Sequence, residues 1–207
     1  MIENYIWDFD GTLFDTYPAM VEGAFHALND FGIKRPKNEI YRVMKQESMR
    51  KLRESYQLEE AAFNQLFHEY ERQYQDMSAP FKETEMVLRH LKESGAKHYI
   101  LTHRVTASTW ELLKNFDLAD LVEEVIGIDQ GFARKPAPDA ILHLIDTYKM
   151  KLEKTMMVGD RKLDIEAGIN ANVSTCLYDI DHFLGEIPAD HTVANLADIL
   201  MIKKNTE

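Results

Sequence analysis

Short apolar runs alternate with amphipathic stretches through most of this chain, and the apolar runs end in polar segments. The first run, residues 4–9, is rich in aromatic side chains, which favours a buried strand. Further strands are predicted at 97–102, 122–128, 155–158, 173–177 and 192–193. Helices are predicted between or after them at 83–94, 107–116, 137–148, 163–171 and 195–202. This alternation indicates an α/β fold with a doubly wound, mostly parallel sheet.

Residues 15–80 interrupt the alternation and show no convincing strand pattern. Their apolar positions recur at helical spacing and predict one helix that ends at Gly32 and a second over residues 58–74. We therefore expect an α/β catalytic core of residues 1–14 and 81–207 with an inserted α-helical cap of residues 15–80. Helices inserted after the first strand would form a lid over the carboxyl ends of the strands.

Composition limits the classes of partner and the cellular location that we expect for the protein. The 207 residues carry a formal net charge of −11, which argues against binding to nucleic acid because that needs a basic surface. The single cysteine, Cys176, cannot form an internal disulfide, and no signal peptide is visible, so we expect a cytoplasmic location. No apolar run approaches the ~20 residues of a membrane helix, so no membrane partner is expected. A monomer and a homodimer are both compatible with the sequence.

Polar and charged side chains gather where the predicted strands end. They are Asp8, Asp10, Gly11 and Thr12 after the first strand, Thr102, His103 and Arg104 after the second, Arg134 and Lys135 before the helix at 137–148, and Gly159, Asp160, Arg161 and Asp164 after the strand at 155–158. Open α/β sheets bind their ligands at the carboxyl ends of the strands. The convergence of four segments on that edge predicts a functional site.

The carboxylates among these residues predict a metal site. Asp8, Asp10, Asp160 and Asp164 form an oxygen-rich acidic cluster, and buried like charges are costly unless a cation or a proton compensates them. Oxygen ligands suit a hard cation such as Mg²⁺, whereas the motifs contain no cysteine or paired histidine that would favour zinc. Magnesium is therefore the expected cofactor.

The remaining groups suit an anion. Thr102 offers a hydroxyl to a phosphate oxygen, Lys135 offers a compact positive charge, and Gly11 and Thr12 leave backbone N–H groups available. A carboxylate nucleophile, a metal, a hydroxyl and a lysine are the parts that stabilise a transferring phosphoryl group. A small phosphorylated metabolite is the expected substrate.

The order of these motifs resembles the haloacid dehalogenase (HAD) superfamily, in its phosphatase branch with a helical cap. The motifs are WDFDGTL, YILTHR, RKPAPD and VGDRKLDIEAG, and they span nearly the whole chain. The resemblance implies a HAD-like Rossmannoid core and a Mg²⁺-dependent hydrolase of phosphate monoesters, similar to phosphoglycolate phosphatases. It also implies an aspartyl-phosphate intermediate.

The resemblance also implies the role of each acidic residue. Asp8 would be the nucleophile, and Asp10 would protonate the leaving group and then deprotonate the attacking water. Asp8, the backbone carbonyl of Asp10 and Asp160 would bind Mg²⁺. Asp164 would be a further acidic residue, either a ligand through water or a partner that orients the ligands.

Thr102, Lys135 and the backbone N–H groups of Gly11 and His103 would bind the phosphoryl group. Two positions depart from the pattern of the family. His103 stands where relatives often have asparagine, and its ring is expected to titrate near neutral pH. Asn172 stands where a glycine often ends the last motif, and asparagine tolerates the left-handed conformation needed there.

Several functions stay open at this point. Asp10 argues against a dehalogenase or a phosphonatase, and Met20 stands where sugar-phosphate mutases carry histidine, which weakens that alternative without removing it. A non-catalytic phospho-acceptor module and a partner-binding pseudo-enzyme are the alternatives from other classes. The basic segment 45–53 is most simply a solvated helix face, while Arg50 or Arg53 would select substrates if it reached a carboxylate or a second phosphate.

Overall fold

The computed structural model describes residues 1–202, and its elements follow the alternation predicted from the sequence. In chain order they are β1 (Asn4–Trp7), β2 (Phe14–Asp15), α1 (Tyr17–Asp30), α2 (Lys37–Gln46), α3 (Met49–Ser55), α4 (Glu60–Gln73), β3 (Ala79–Pro80), α5 (Thr84–Glu93), β4 (Lys97–Leu101), α6 (Thr106–Asn115), β5 (Glu124–Ile126), α7 (Asp139–Tyr148), β6 (Thr155–Gly159), α8 (Lys162–Asn170), β7 (Ser174–Tyr178) and β8 (His191–Val193). The last predicted helix is a 3₁₀ segment, Leu196–Met201. None of the helices within residues 1–202 is long and apolar enough to span a membrane.

Six strands form one sheet in the order β5-β4-β1-β6-β7-β8. Every neighbouring pair in this sheet is parallel, which confirms the predicted fold class. The strand β1 lies between β4 and β6, and Trp7 at its end pairs with Ile100 on one side and Val158 on the other. The carboxyl ends of these three strands therefore reach one edge of the sheet together.

Successive residues of the central strands supply the apolar cores on the two faces of the sheet. Tyr5 and Trp7 pack with the buried side of α5 and α6, whereas Ile6 packs with α7 and α8. Because both faces are covered, the strands read as continuous apolar runs rather than as alternating ones. This explains why residues 4–9 look uniformly hydrophobic.

The first strand is shorter than predicted, since β1 ends at Trp7 and not at residue 9. Phe9 is fully buried, but its carbonyl accepts hydrogen bonds from the N–H groups of Thr12, Leu13 and Phe14, so the chain turns there. Gly11 lies in this turn with φ of 87°, a left-handed conformation that glycine adopts without strain. The expected left-handed conformation of Asn172 is confirmed, with φ of 58°.

The chain divides into two compact units. One unit is formed by Met1–Phe14 with the chain from Pro80 onward and contains the six-stranded sheet; the other is Asp15–Ala79 and contains α1–α4. The second unit has its own apolar core, which includes Leu28, Ile40 and Phe63. The roles of catalytic core and cap for these units stay predictions.

The basic segment 45–53 is only partly a solvated helix face. The side chain of Arg50 is 66% exposed, as expected. Lys45 differs, because it is 1% exposed and its ammonium lies 5.1 Å from the ring centroid of Tyr17. A cation over an aromatic face gains favourable electrostatic energy, which helps to explain how a lysine is tolerated in a buried position.

Candidate active site

The register of the sheet sets the positions of the predicted site residues in the unit that contains the sheet. Asp8 continues the ladder beyond β1, since its N–H donates to the carbonyl of Val158 at 2.8 Å. Thr102 continues β4 in the same way, with its N–H on the carbonyl of Ile126 at 3.0 Å. Asp160 follows β6 directly. The first, second and fourth motifs thus meet at one edge of the sheet, as predicted.

Lys135 binds two of the predicted carboxylates at once. Its Nζ lies 2.5 Å from Asp8 Oδ1 and 2.7 Å from Asp164 Oδ1, and it donates to the carbonyl of Leu101 at 2.9 Å. The contacts to Asp8 and to the Leu101 carbonyl are hydrogen bonds, and the contact to Asp164 is an ion pair. The side chain of Lys135 is 1% exposed, so these bonds form away from water. Lys135 thus links the first and fourth motifs of the site by binding a carboxylate from each.

Three carboxylates lie close together, and two of them contact this ammonium. Asp8, Asp160 and Asp164 are buried, and each offers one oxygen within 4.8 Å of the others. Asp10, the fourth residue of the predicted acidic cluster, is not in this group, and its carboxylate pairs with Arg104 instead. Buried like charges at such distances repel each other strongly, so a cation is needed to hold all three in the ionised state.

The end of β6 is shaped to admit Asp164. A Cβ at Gly159 would lie 2.2 Å from the Cβ of Asp164, closer than real side chains approach. Asp164 lies in the first turn of α8, where its Oδ2 accepts the N–H of Arg161 at 3.0 Å. A carboxylate there is favoured by the helix dipole and by the N–H group that it satisfies. Gly159 is thus required for packing, and Asp164 both caps a helix and binds Lys135.

The surroundings of Asp8 and Asp164 shift the pKa values of the two carboxyls in opposite directions. Burial raises the pKa of Asp8 to about 7, with Lys135 opposing the rise and Asp164 and Asp160 adding to it. Burial acts in the same direction on Asp164, but Lys135 and Arg161 outweigh it and hold its pKa below the ordinary value. Desolvation lowers the pKa of Lys135, yet Asp164 and Asp8 prevail and raise it. Lys135 is therefore a permanent cation, and Asp8 needs further positive charge to stay ionised.

Arg104 and Thr102 surround the carboxylate of Asp10. Arg104 donates from Nε and Nη2 to Asp10 Oδ1 at 2.9 and 2.8 Å. The hydroxyl of Thr102 lies 3.4 Å from Asp10 Oδ2 and accepts the N–H of Arg104 at 3.0 Å. Thr12 makes the corresponding contact to the other aspartate, with its Oγ1 3.3 Å from Asp8 Oδ2. The two aspartates of the first motif therefore lie in different environments.

His103 behaves differently from its prediction. Burial, together with the nearby charges of Lys135 and Arg161, lowers the pKa of His103 to about 3. The expectation that its ring titrates near neutral pH was wrong, because two cations and the loss of water disfavour the imidazolium. Its buried Nε2 has no hydrogen-bond partner within the described residues 1–202. A neutral imidazole next to Lys135 can accept or donate a hydrogen bond to an incoming group.

Gly11 lies beside these carboxylates in the turn that follows β1. Its N–H donates to the carbonyl of Phe14 at 2.7 Å, so that group already has an acceptor within the turn. The left-handed backbone of Gly11 carries the chain from Asp10 towards Phe14. Binding of the phosphoryl group by Gly11 stays a prediction.

The structure gives Arg50 and Arg53 local partners within the helical unit. Arg50 Nε lies 2.6 Å from Glu54 Oε1, four residues on along α3. Arg53 donates to the carbonyl of Leu58 at 3.1 Å and lies 3.3 Å from Glu60 Oε2. Their role in substrate selection stays a prediction.

Arg104 and Arg161 stand among the predicted strand-end residues, and the sequence predicts no role for either. The structure brings both to the site, since Arg104 binds Asp10 and Arg161 Nε lies 3.8 Å from Asp160 Oδ1. Each arginine comes one or two residues after a predicted strand-end residue, and this spacing was the available signal. Together with Lys135 they place three cations beside the carboxylates of Asp8, Asp10, Asp160 and Asp164 and offset most of their formal negative charge.

Comparison with known proteins agrees with this geometry. The chain is 29% identical to pyrophosphatase PpaX of Anoxybacillus flavithermus, over 84% of this chain and 82% of that protein. It is 28% identical to phosphoglycolate phosphatase of Aliivibrio fischeri, over 80% and 79%. The crystal structure of a hydrolase from Streptococcus pneumoniae TIGR4 superposes with a TM-score of 0.66 at 27% identity, covering 97% of this chain and 99% of that one.

The family comparison reaches across both units. The sequence profile described as haloacid dehalogenase-like hydrolase matches residues 5–178, which include all four motifs at the strand ends. The match therefore covers most of the chain and the three buried carboxylates of the site, Asp8, Asp160 and Asp164. This chain belongs to the haloacid dehalogenase-like hydrolase family, and the resemblance of its motifs to that family is confirmed.

Proposed function

We propose that this protein is a Mg²⁺-dependent phosphatase that hydrolyses a small phosphate monoester through an aspartyl-phosphate intermediate. The observation that carries the proposal is the buried arrangement of Asp8, Lys135, Asp160 and Asp164 at one edge of the sheet. A nucleophilic carboxylate beside a fixed ammonium group is the arrangement that attack on a phosphoryl group requires. Membership of a hydrolase family supports the same reaction class.

The donor set fits a hard divalent cation. Asp8, Asp160 and Asp164 supply carboxylate oxygens within 4.8 Å of one another, and oxygen ligands are those that Mg²⁺ prefers. A single ammonium group, Lys135, binds two of these three buried carboxylates, which leaves negative charge for a cation to offset. Magnesium held by Asp8 and Asp160, with the backbone carbonyl of Asp10, would supply positive charge to the oxygens of the phosphoryl group. Asp164 would support these ligands from its bond to Lys135.

Each residue of the site then has a proposed role in hydrolysis. Asp8 attacks phosphorus while the bond to the leaving oxygen breaks and Asp10 gives that oxygen a proton. In the second step a water molecule attacks the phosphorus of the aspartyl phosphate, Asp10 takes its proton, and Asp8 leaves as a carboxylate. Thr102, Lys135 and the N–H group of His103 are the proposed phosphate-binding groups. Gly11 would join them if its N–H exchanged the carbonyl of Phe14 for a phosphate oxygen.

The proposed substrate is a small phosphorylated metabolite, with phosphoglycolate as the first candidate because a relative at 28% identity bears the name phosphoglycolate phosphatase. Pyrophosphate is the second candidate, since a relative at 29% identity is a pyrophosphatase. Both molecules carry a second anionic group next to the phosphoryl group. Met20, in place of the histidine of sugar-phosphate mutases, still weakens the mutase alternative without removing it. A cytoplasmic location stays a prediction.

Phosphate release from a panel of compounds tests the proposal. The purified protein is assayed with phosphoglycolate, pyrophosphate, hexose phosphates and p-nitrophenyl phosphate, with Mg²⁺ and with a chelator. We expect release from at least one ester, loss of activity on chelation and its return with Mg²⁺. Asp8→Asn should lower release by several orders of magnitude. Asp146→Asn is the matched control, because Asp146 is 86% exposed and pairs with Lys149.

Mass spectrometry of the acid-quenched reaction should find phosphate on the peptide that contains Asp8. Near-normal turnover of Asp8→Asn, or activity that survives exhaustive chelation, would contradict the proposal. Conversion of a hexose phosphate to an isomer without phosphate release would favour the mutase instead.

A further inference from the structure

Arg104 makes two short side-chain contacts to Asp10. Both Nε and Nη2 donate to the same oxygen, Asp10 Oδ1, at 2.9 and 2.8 Å. The two side chains are 16% and 14% exposed, so the pair is largely removed from water. Charge-assisted bonds of this kind are stronger and more directional than exposed ion pairs. Oxygen Oδ1 of Asp10 is therefore firmly anchored.

The backbone of Arg104 is held in turn. Its N–H donates to Thr102 Oγ1 at 3.0 Å, and its carbonyl accepts the N–H of Ile128 at 3.1 Å. Gly127 makes this approach possible, because a Cβ there would lie 2.7 Å from the Arg104 carbonyl oxygen. Fixed bonds on both sides of the residue hold the backbone from which the guanidinium group reaches Asp10. The fold thus builds a rigid support behind Asp10.

We propose that Arg104 is a positioning residue that anchors Oδ1 of Asp10 so that Oδ2 carries the proton to and from the reacting oxygens. This inference rests on the proposed function. Thr102 Oγ1 lies 3.4 Å from Oδ2, which places that oxygen on the side of a proposed phosphate-binding hydroxyl. As the bond from phosphorus to the leaving oxygen breaks, its electron pair accepts the proton from Oδ2. Oδ2 later takes a proton from water as the new phosphorus–oxygen bond forms.

The physical need for such an anchor comes from the carboxyl group itself. Rotation about the terminal bond of an aspartate is soft and roughly two-fold, so either oxygen can face the substrate. Proton transfer requires a donor within hydrogen-bond reach of the leaving oxygen, and a misplacement of about 1 Å can cost ~100-fold in rate. Anchoring one oxygen with two bonds removes this rotation.

Leaving-group dependence tests the inference directly. Arg104→Gln and Arg104→Lys are compared with wild type on an alkyl phosphate that wild type hydrolyses and on p-nitrophenyl phosphate. The alkoxide needs a proton in order to leave, whereas p-nitrophenolate does not. We expect Arg104→Gln to lower kcat/KM for the alkyl ester about 100-fold and for the aryl ester less than ~5-fold. Arg104→Lys should recover part of the loss.

Two controls separate positioning from other roles. Arg89→Gln removes a cation whose side chain is 43% exposed and pairs with Glu85 along α5, and it should leave the alkyl-to-aryl ratio of kcat/KM unchanged. Asp10→Asn should lower the same ratio, and adding Arg104→Gln to it should have no further effect, because both changes remove one function. The inhibition constant of inorganic phosphate should stay within about threefold, since the anchor does not bind the phosphoryl group.

Several results would overturn the inference. An equal loss on both esters would show a structural role for Arg104, and a parallel rise in KM and in the inhibition constant of phosphate would show substrate binding. Additive effects in the double variant would also contradict it. These outcomes differ from failure of the proposed function, in which wild type releases no phosphate or Asp8→Asn keeps near-normal turnover. Thermal unfolding of each variant establishes that it is folded before kinetics are compared.

Discussion

The ammonium of Lys135 lies 2.5 Å from Asp8 Oδ1, and both side chains are 1% exposed. Lys135 therefore favours the ionised form of Asp8, and Asp8 adds to the support that Asp164 gives the ammonium. Asp8 is surrounded by Asp160 and Asp164, and Lys135 is the cation that binds both Asp8 and Asp164. Stability and activity should be coupled at this point of the structure.

Lys135→Met should unfold the protein more easily as well as stop turnover. Removing one partner of a buried ion pair leaves its carboxylates without compensation, which typically costs about 3–5 kcal/mol. Chemical denaturation in the absence of divalent cations measures the change. Lys149→Met is the matched control, because Lys149 is 79% exposed and pairs only with a neighbour on the surface. An unchanged free energy of unfolding for Lys135→Met would show that Lys135 does not hold the carboxylates together.

Asp8→Asn should stabilise the metal-free protein above neutral pH although it destroys activity. Burial raises the pKa of Asp8 to about 7, so the folded state prefers the neutral carboxyl. Stability of the wild type is then lost as the pH rises from the ordinary pKa of 3.8 towards 7, whereas asparagine stays neutral throughout. In a chelator at pH 8 the Tm of Asp8→Asn should exceed that of wild type, and the gap should close towards pH 4.

Magnesium provides the complementary measurement. It should raise the Tm of wild type more than that of Asp8→Asn, because a ligand stabilises the folded state in proportion to its affinity for that state. Equal shifts of Tm in both proteins would contradict a role for Asp8 in holding the metal.

His98 should make stability fall in mild acid. Its Nδ1 accepts the indole N–H of Trp7 at 3.1 Å, and its Nε2 lies 2.9 Å from the carbonyl of Leu88, so the ring is held neutral. Burial lowers the pKa of His98 to about 4, below the ordinary 6.5. The unfolded chain therefore binds a proton between these values that the folded chain does not, and stability is lost as the pH falls through this range by about 3 kcal/mol.

Unfolding free energies at pH 7 and pH 4.5 measure this effect in wild type and in His98→Gln. The variant should lose less stability than wild type between the two values. His90→Gln is the matched control, since His90 is exposed on α5. A slope in His98→Gln as steep as in wild type would assign the acid sensitivity to other groups.

Gly159→Ala should damage both folding and catalysis. The added Cβ would lie 2.2 Å from the Cβ of Asp164, so α8 and the carboxylate that binds Lys135 must shift. We expect the free energy of unfolding to fall by ~2 kcal/mol or more. Turnover should fall at least ~100-fold because the carboxylate is misplaced. Gly32→Ala is informative beside it, since Gly32 has φ of 75° and nothing within 4 Å of a Cβ. That change should cost about 1 kcal/mol without loss of activity.

Arg53→Ala should lower stability more than Arg50→Ala does. Arg53 is 13% exposed and binds the carbonyl of Leu58, so its removal leaves an acceptor unsatisfied at a cost of about 1 kcal/mol. Arg50 makes one exposed pair along α3. If either arginine also selects the substrate, its alanine variant should raise KM for the true substrate but hardly change KM for p-nitrophenyl phosphate. Equal KM effects on both compounds would leave only the structural role.

The local sequence was sufficient to predict most secondary-structure elements and the location of the site. The period of the apolar residues predicted the order of helices and strands, because each element buries a face against a common core. The polar residues at the strand ends then predicted one site, since parallel strands deliver their carboxyl ends to a single edge. Asp8, Thr102 and Asp160 could be placed together for this reason.

Tertiary structure decided which of these groups bind one another. Long side chains such as Arg104 and Lys135 reach several ångströms from the backbone, and their partners depend on loop geometry rather than on spacing. Arg104 meets Asp10 across a separation of 94 residues, and Lys135 meets Asp8 across 127. The neutral state of His103 likewise follows from burial beside Lys135 and Arg161. The fold class and the chemical groups of the site could thus be predicted from the sequence. The pairing of charges could not, because electrostatic energy depends on distance and on exclusion of water, which follow from three-dimensional packing.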